Sequence, residues 1–148
     1  MSTKPDQAHN AVFSPDGHWV AYRVTSPEGA GIFVQPFPPT RAKVQIAVTV
    51  GIHPVWSPDG KELMYLLATG QMAAVSVTTQ PTFAVGNPVQ VPGGGLVANP
   101  GLARPYDMAP DGRMLGIVIA QAAGGATTPE IQVVLNWLTE LQQRVPTR

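Results

Sequence analysis

Three short segments of one pattern divide the chain: Phe13-Ser14-Pro15-Asp16-Gly17, Trp56-Ser57-Pro58-Asp59-Gly60 and Met108-Ala109-Pro110-Asp111-Gly112. Each is an apolar residue, a small residue and Pro-Asp-Gly, which suits a tight turn. Proline presets φ at the first corner, the aspartate accepts hydrogen bonds from the local backbone, and glycine takes positive φ at the last corner. Asp16, Asp59 and Asp111 therefore read as turn residues, one per repeat, and not as a metal cluster. They are spaced 43 and 52 residues apart. A period of about 40–50 residues with strand-forming content is that of propeller blades.

The sequence after each turn supports strands. Eighteen Val against nine Leu favour pleated sheet over helix. Runs of strand formers follow at His18 to Val24, Lys61 to Ala68 and Arg113 to Ala120, then at Gly31 to Phe37, Gln71 to Thr78 and Glu130 to Trp137. Fourth strands are expected at Lys43 to Thr49 and Val89 to Pro92, whereas the third unit has only three. Linkers over 80–88 and 93–103 account for the longer second interval. Trp137, Leu141 and Val145 then fall at i, i+4 and i+8 between Asn136, a possible N-cap, and Pro146, which describes a short amphipathic helix over 137–145. The expected architecture is all-β: a partial propeller of about three four-stranded antiparallel blades, at 9–50, 51–92 and 103–137, with a short C-terminal helix. Trp19, Tyr22 and Tyr65 are expected to pack between blades.

Composition removes several function classes. Nine basic residues balance nine acidic ones, so there is no net basic field for nucleic acid. The longest weakly apolar stretch, Met64 to Val85, is broken by Thr, Gly, Gln, Ser and Pro and is not expected to cross a membrane. The first ten residues hold no apolar run of signal-peptide length, which makes the default expectation cytoplasmic. No Cys is present, so thiol chemistry is excluded. The chain carries no Gly-x-Ser-x-Gly elbow, no His-Glu-x-x-His and no Walker loop.

The repeats resemble those of TolB-like β-propellers built from PD40 (WD40-like) repeats, whose hallmark is apolar-Ser-Pro-Asp-Gly between the first two strands of a blade. The resemblance runs from about Ala11 to Val145 and is sharpest over Gly51 to Leu63 and Tyr106 to Gly112. It implies a ring of six to eight blades and, in function, a binding module that presents loops or a channel mouth to a protein or peptide. Three blades are too few for such a ring, and a partial ring leaves apolar faces and sheet edges in water. Three escapes are open: an open curved array, a truncated piece of a longer protein, or a homodimer completing a six-blade-like ring, which is the favoured one, with a partner's N-terminal segment able to supply the strand missing from the third unit.

Chemistry, if present, is expected on the innermost strand of each blade, which lines the channel. Counting back from Phe13, Trp56 and Met108 places Asn10, His53 and Pro105 at one offset, with Asp107 on the same strand face. Asn10, His53 and Asp107 suit hard ligation of Ca²⁺, and His53 with Asp107 suits general-base activation of water. The alternative function is thus a Ca²⁺-dependent hydrolase of small esters or lactones, with His53 and Asp107 catalytic and Asn10, His53 and Asp107 on the metal. The opposite face carries His9, Arg104 and Tyr106, and its arginine suits an anionic group.

Overall fold

The structure, a computed structural model, describes residues 7–26, 29–48, 51–92, 95–98, 103–121 and 127–134, and all regular structure within them is β-strand. The first sheet holds β1 (Gln7–Phe13), β2 (Trp19–Ser26), β3 (Gly29–Pro36) and β4 (Val44–Val48), antiparallel and in chain order. The second holds β5 (Gly51–Trp56), β6 (Glu62–Leu67) and β7 (Met72–Thr78). Two short strands share the outer edge of β7: β8 (Ala84–Val85) pairs with Val77 and Thr78, and β9 (Val89–Val91) with Met72 to Ala74. The third holds β10 (Tyr106–Met108), β11 (Met114–Gln121) and β12 (Thr127–Val134). These are three propeller-type blades. The stretch expected as a linker over 80–88 contributes β8, while the helix expected over 137–145 lies outside the described residues.

The motif turns form as their residues dictate. Gly17, Gly60 and Gly112 have φ of 73°, 70° and 82°, and each donates its N–H to the carbonyl of the small motif residue at 2.9 Å. Each aspartate accepts the amide two residues on, at His18, Lys61 and Arg113, over 3.0–3.1 Å. In the first two turns a serine adds a second layer. Ser14 and Ser57 donate to Asp16 and Asp59 at 2.5 and 2.7 Å, and accept the amides of Trp19 and Glu62 at 2.9 Å.

The third turn has Ala109 at that position and no hydroxyl to hold the fifth residue on. Its hairpin closes one residue earlier, from Ala109 N to Arg113 O, where Ser14 and Ser57 reach Trp19 and Glu62. A shift of one residue exchanges the two faces of a strand. The ladder accordingly pairs Met108 with Met114, as it pairs Trp56 with Leu63 and Phe13 with Val20. Met114 is therefore the counterpart of Leu63. Leu115, which motif alignment would match to Leu63, lies on the opposite face.

Both faces of the middle blade are covered. Its backward face, with Trp56, Leu63, Tyr65, Ala73, Val75 and Val77, packs on Ala21, Ile32 and Val34 of the first blade. Its forward face, with Val55, Met64, Leu66, Met72, Ala74 and Val91, packs on Tyr106 and Met114 of the third. Gly116 stands where the first two blades carry Tyr22 and Tyr65, and a Cβ there would run into the end of the Leu96 side chain, which takes the space. Trp19 packs between blades on Phe83, with ring centroids 4.4 Å apart, and Tyr65 is buried in the first core. Tyr22 is likewise buried, stacks on Phe33 and donates to Gln35 at 2.8 Å.

Ser57 is fully buried and holds two partners, so Ser57→Ala is expected to lower stability by about 1–3 kcal/mol in urea denaturation. A change within error would show the turn to be independent of the hydroxyl. All three aspartates are held below their ordinary value of 3.8. The Ser14 hydroxyl leads at Asp16 and the Arg113 N–H at Asp111, while at Asp59 burial pushes upward but is outweighed by Ser57 and Lys61. Depressed folded values stabilise the fold fully above 3.8, and that contribution is lost as pH falls through them. The urea midpoint is expected to drop on acidification in that window.

Candidate functional site

The inner strands β1 and β5 are both interrupted by a bulge, between His9 and Val12 and between Ile52 and Val55. A bulge re-aims a side chain. Asn10 and His53 sit in these bulges with φ of 55° and 54°, in the left-handed region where Asn and His are among the better tolerated side chains. The two positions share one offset from the motif, and the shared backbone geometry turns their side chains toward each other. Asn10 Nδ2 donates to His53 Nδ1 at 2.7 Å.

His53 is 1% exposed. Its carbonyl accepts the hydroxyl of Tyr106 from the third blade, and burial pushes the Tyr106 phenol well above its ordinary 10. Arg104 completes the network. Its Nε donates to the Tyr106 carbonyl at 2.8 Å, Nη1 to the Pro54 carbonyl at 3.3 Å and Nη2 to Asp107 Oδ1 at 2.7 Å. Asp107 also accepts the Met108 amide at 3.0 Å. A polar chain thus runs across the inner ends of the blades, from Asn10 through His53 and Tyr106 to Arg104 and Asp107.

Of the three residues singled out from sequence, Asn10 and His53 are brought into direct contact. Asp107 joins them only through Arg104, with its side chain 70% exposed. Asn10, Ala11, Val12, Pro54 and Arg104 line a cleft of about 330 Å³. Chemically, the polar chain beside this cleft offers an exposed carboxylate, one partly exposed guanidinium already in an ion pair, and a histidine engaged by its neighbours. Ca²⁺ takes six to eight oxygen ligands. Among the described residues no group of three or more His, Asp or Glu side chains is gathered to hold a metal, and Asn10 turns its amide nitrogen to His53, so the donor set does not fit a Ca²⁺ site. Sequence reasoning placed Arg104 and Tyr106 on the strand but missed them as ties between blades. The available signal was a tyrosine beside an arginine on an otherwise short inner strand.

No protein-family model and no curated protein matches the chain. Among solved structures it is similar to a candidate 6-phosphogluconolactonase from Bacteroides uniformis, at 18% identity and a TM-score of 0.48, covering 86% of this chain and 41% of that one. A second candidate 6-phosphogluconolactonase, from Bacteroides fragilis, is 16% identical with a TM-score of 0.48, over 86% and 39% of the two chains. The periplasmic gluconolactonase of Pseudomonas aeruginosa is 15% identical with a TM-score of 0.47, over 86% and 41%. The chain spans about two fifths of the length of these structures. At this distance their activities do not transfer to it.

Replacing Asn10 with Ala removes the donor to His53 and leaves an alanine in a left-handed backbone, so a loss of about 1–3 kcal/mol is expected by urea denaturation. Asn10→Gly, which suits the backbone, is expected to lose less. Equal losses would show that the hydrogen bond alone matters.

Proposed function

We propose that the chain is a protein-interaction module that works by presenting propeller-blade faces to other blades. The observation that supports this reading is a contrast between equivalent positions. Trp56, on the backward face of the middle blade, is 5% exposed, whereas its counterpart Phe13 on the first blade is 57% exposed. Phe37 beside Phe13, and Leu115 and Ile117 on the forward face of the third blade, are likewise exposed. An exposed apolar patch of this kind marks an interaction surface.

A hydrolase of small esters or lactones is the second reading, favoured by the exposed Asp107 carboxylate paired with Arg104. It needs His53 to reach substrate, and the ring is enclosed by its neighbours. Two measurements separate the readings. With p-nitrophenyl acetate or a gluconolactone, in Ca²⁺, Mn²⁺ or Zn²⁺, turnover is expected to stay at the buffer rate and to be indifferent to EDTA. Turnover that Asp107→Asn abolishes would establish the hydrolase. At dilutions where the chain is monomeric, binding of an apolar dye is expected, and it should fall in both Phe13→Asp and Leu115→Asp.

A further inference from the structure

The inner strands of blades one and two carry the same irregularity, and the polar ties on both sides of the middle blade pass through one of them. In β5, His53 and Pro54 together oppose the single residue Tyr65, between the pairs Ile52 with Leu66 and Val55 with Met64. In β1, Asn10 and Ala11 oppose Tyr22 in the same way. His53 has φ of 54° and is 1% exposed. Its ring takes the hydrogen bond of Asn10 from blade one at 2.7 Å. The carbonyls of His53 and of Pro54, next along the backbone, take those of Tyr106 and Arg104 from blade three. One backbone conformation therefore serves both joints.

We infer that the bulge of β5 is a two-state coupler between the joints on its two sides. A left-handed histidine is uncommon and persists where its surroundings over-determine it. Asn10 holds the bulge by the ring, and Tyr106 with Arg104 hold it by the carbonyls. A return of φ to the extended value of about −140° re-aims the ring and the carbonyls together, so both ties are lost in one event. Each tie thus favours the conformation that the other needs. That is the condition for a coupling free energy between two sites, and such a coupling is reciprocal. Blades one and three act on one another through His53, with no hydrogen bond needed between Asn10 and Tyr106. Both joints lie inside the chain, so the coupling holds whatever covers the outer faces of blades one and three.

The test is a double-substitution cycle on the full chain. Asn10→Gly removes the donor and keeps the left-handed backbone available, and Tyr106→Phe removes only the hydroxyl. Their combined loss of stability in urea is expected to be smaller than the sum of the single losses, because the second substitution acts on a bulge that the first has already released. Additive losses overturn the inference. Native-state amide exchange locates the effect. Asn10→Gly is expected to speed exchange at the Ile117 amide, which donates to the Pro105 carbonyl in blade three at 2.8 Å, by about fivefold or more. Ser14→Ala, which weakens the turn of blade one and touches neither tie, is expected to leave that amide at the wild-type rate. Equal acceleration by both variants, or none by Asn10→Gly, overturns the coupling. In the reverse direction, Tyr106→Phe is expected to shift the nuclear magnetic resonance signal of the Asn10 side-chain amide, and an unmoved signal also overturns it. If Tyr106→Phe is unfolded by circular dichroism, Arg104→Met, at a partly exposed side chain, removes the tie to Pro54 and repeats the cycle with the same two outcomes.

Discussion

Every blade of this chain is a thin antiparallel sheet with an apolar surface on both sides, and such a sheet is stable only when both sides are covered. The middle blade meets that condition within the chain. Leu63, Met64 and Leu66 are fully buried, two pointing forward and one backward, and each buried side chain of this size contributes roughly 1.5–3 kcal/mol. On the outer blades coverage is uneven: Tyr22 and Val24 of the first are buried while Phe13 is exposed, and Leu115 and Ile117 of the third are exposed. The remaining features of the molecule, from the register of β11 to the exposure of Phe13, follow from how the chain manages that requirement at three successive positions.

Register decides which residues are available for it, and a single hydroxyl participates in setting register. In the first two turns the serine captures the amide five residues on and so fixes where β2 and β6 begin. Ala109 lacks that capture, the third hairpin is one residue shorter, and β11 presents its alternate residues. The substitution does not disorder the blade. It places Met114 in the second core and Leu115 and Ile117 outside, with Gly116 making room for Leu96. One missing side-chain oxygen thus reassigns a whole strand face.

The blade number, the turns and most strands were legible in the sequence because each rests on local signals: Pro-Asp-Gly, β-branched runs and a long period. The motif aspartates read correctly as turn residues for the same reason. Face assignment in the third blade was not legible, because aligning motifs assumes equal hairpins and Ala109 breaks that equality without changing the motif's outline. At the inner strands the offset that pairs Asn10 with His53 was readable. That their pairing depends on two left-handed bulges, and that Asp107 is held by Arg104, are tertiary facts that spacing does not carry.

Polar groups at the inner ends do at each joint what apolar packing cannot, which is to fix the rotation of one blade against the next. Between blades one and two the tie is Asn10 on His53. The same device cannot recur in blade three, because its equivalent position is Pro105 and a proline ring excludes positive φ. Tyr106 and Arg104 take over instead, reaching the carbonyls of His53 and Pro54. His53 is thereby used on both sides, by its ring toward blade one and by its backbone toward blade three. A residue enclosed in this way is poorly placed to exchange protons with a substrate but well placed to hold three blades in register, and this is the physical reason for reading the inner strands as a scaffold for the outward-facing surfaces.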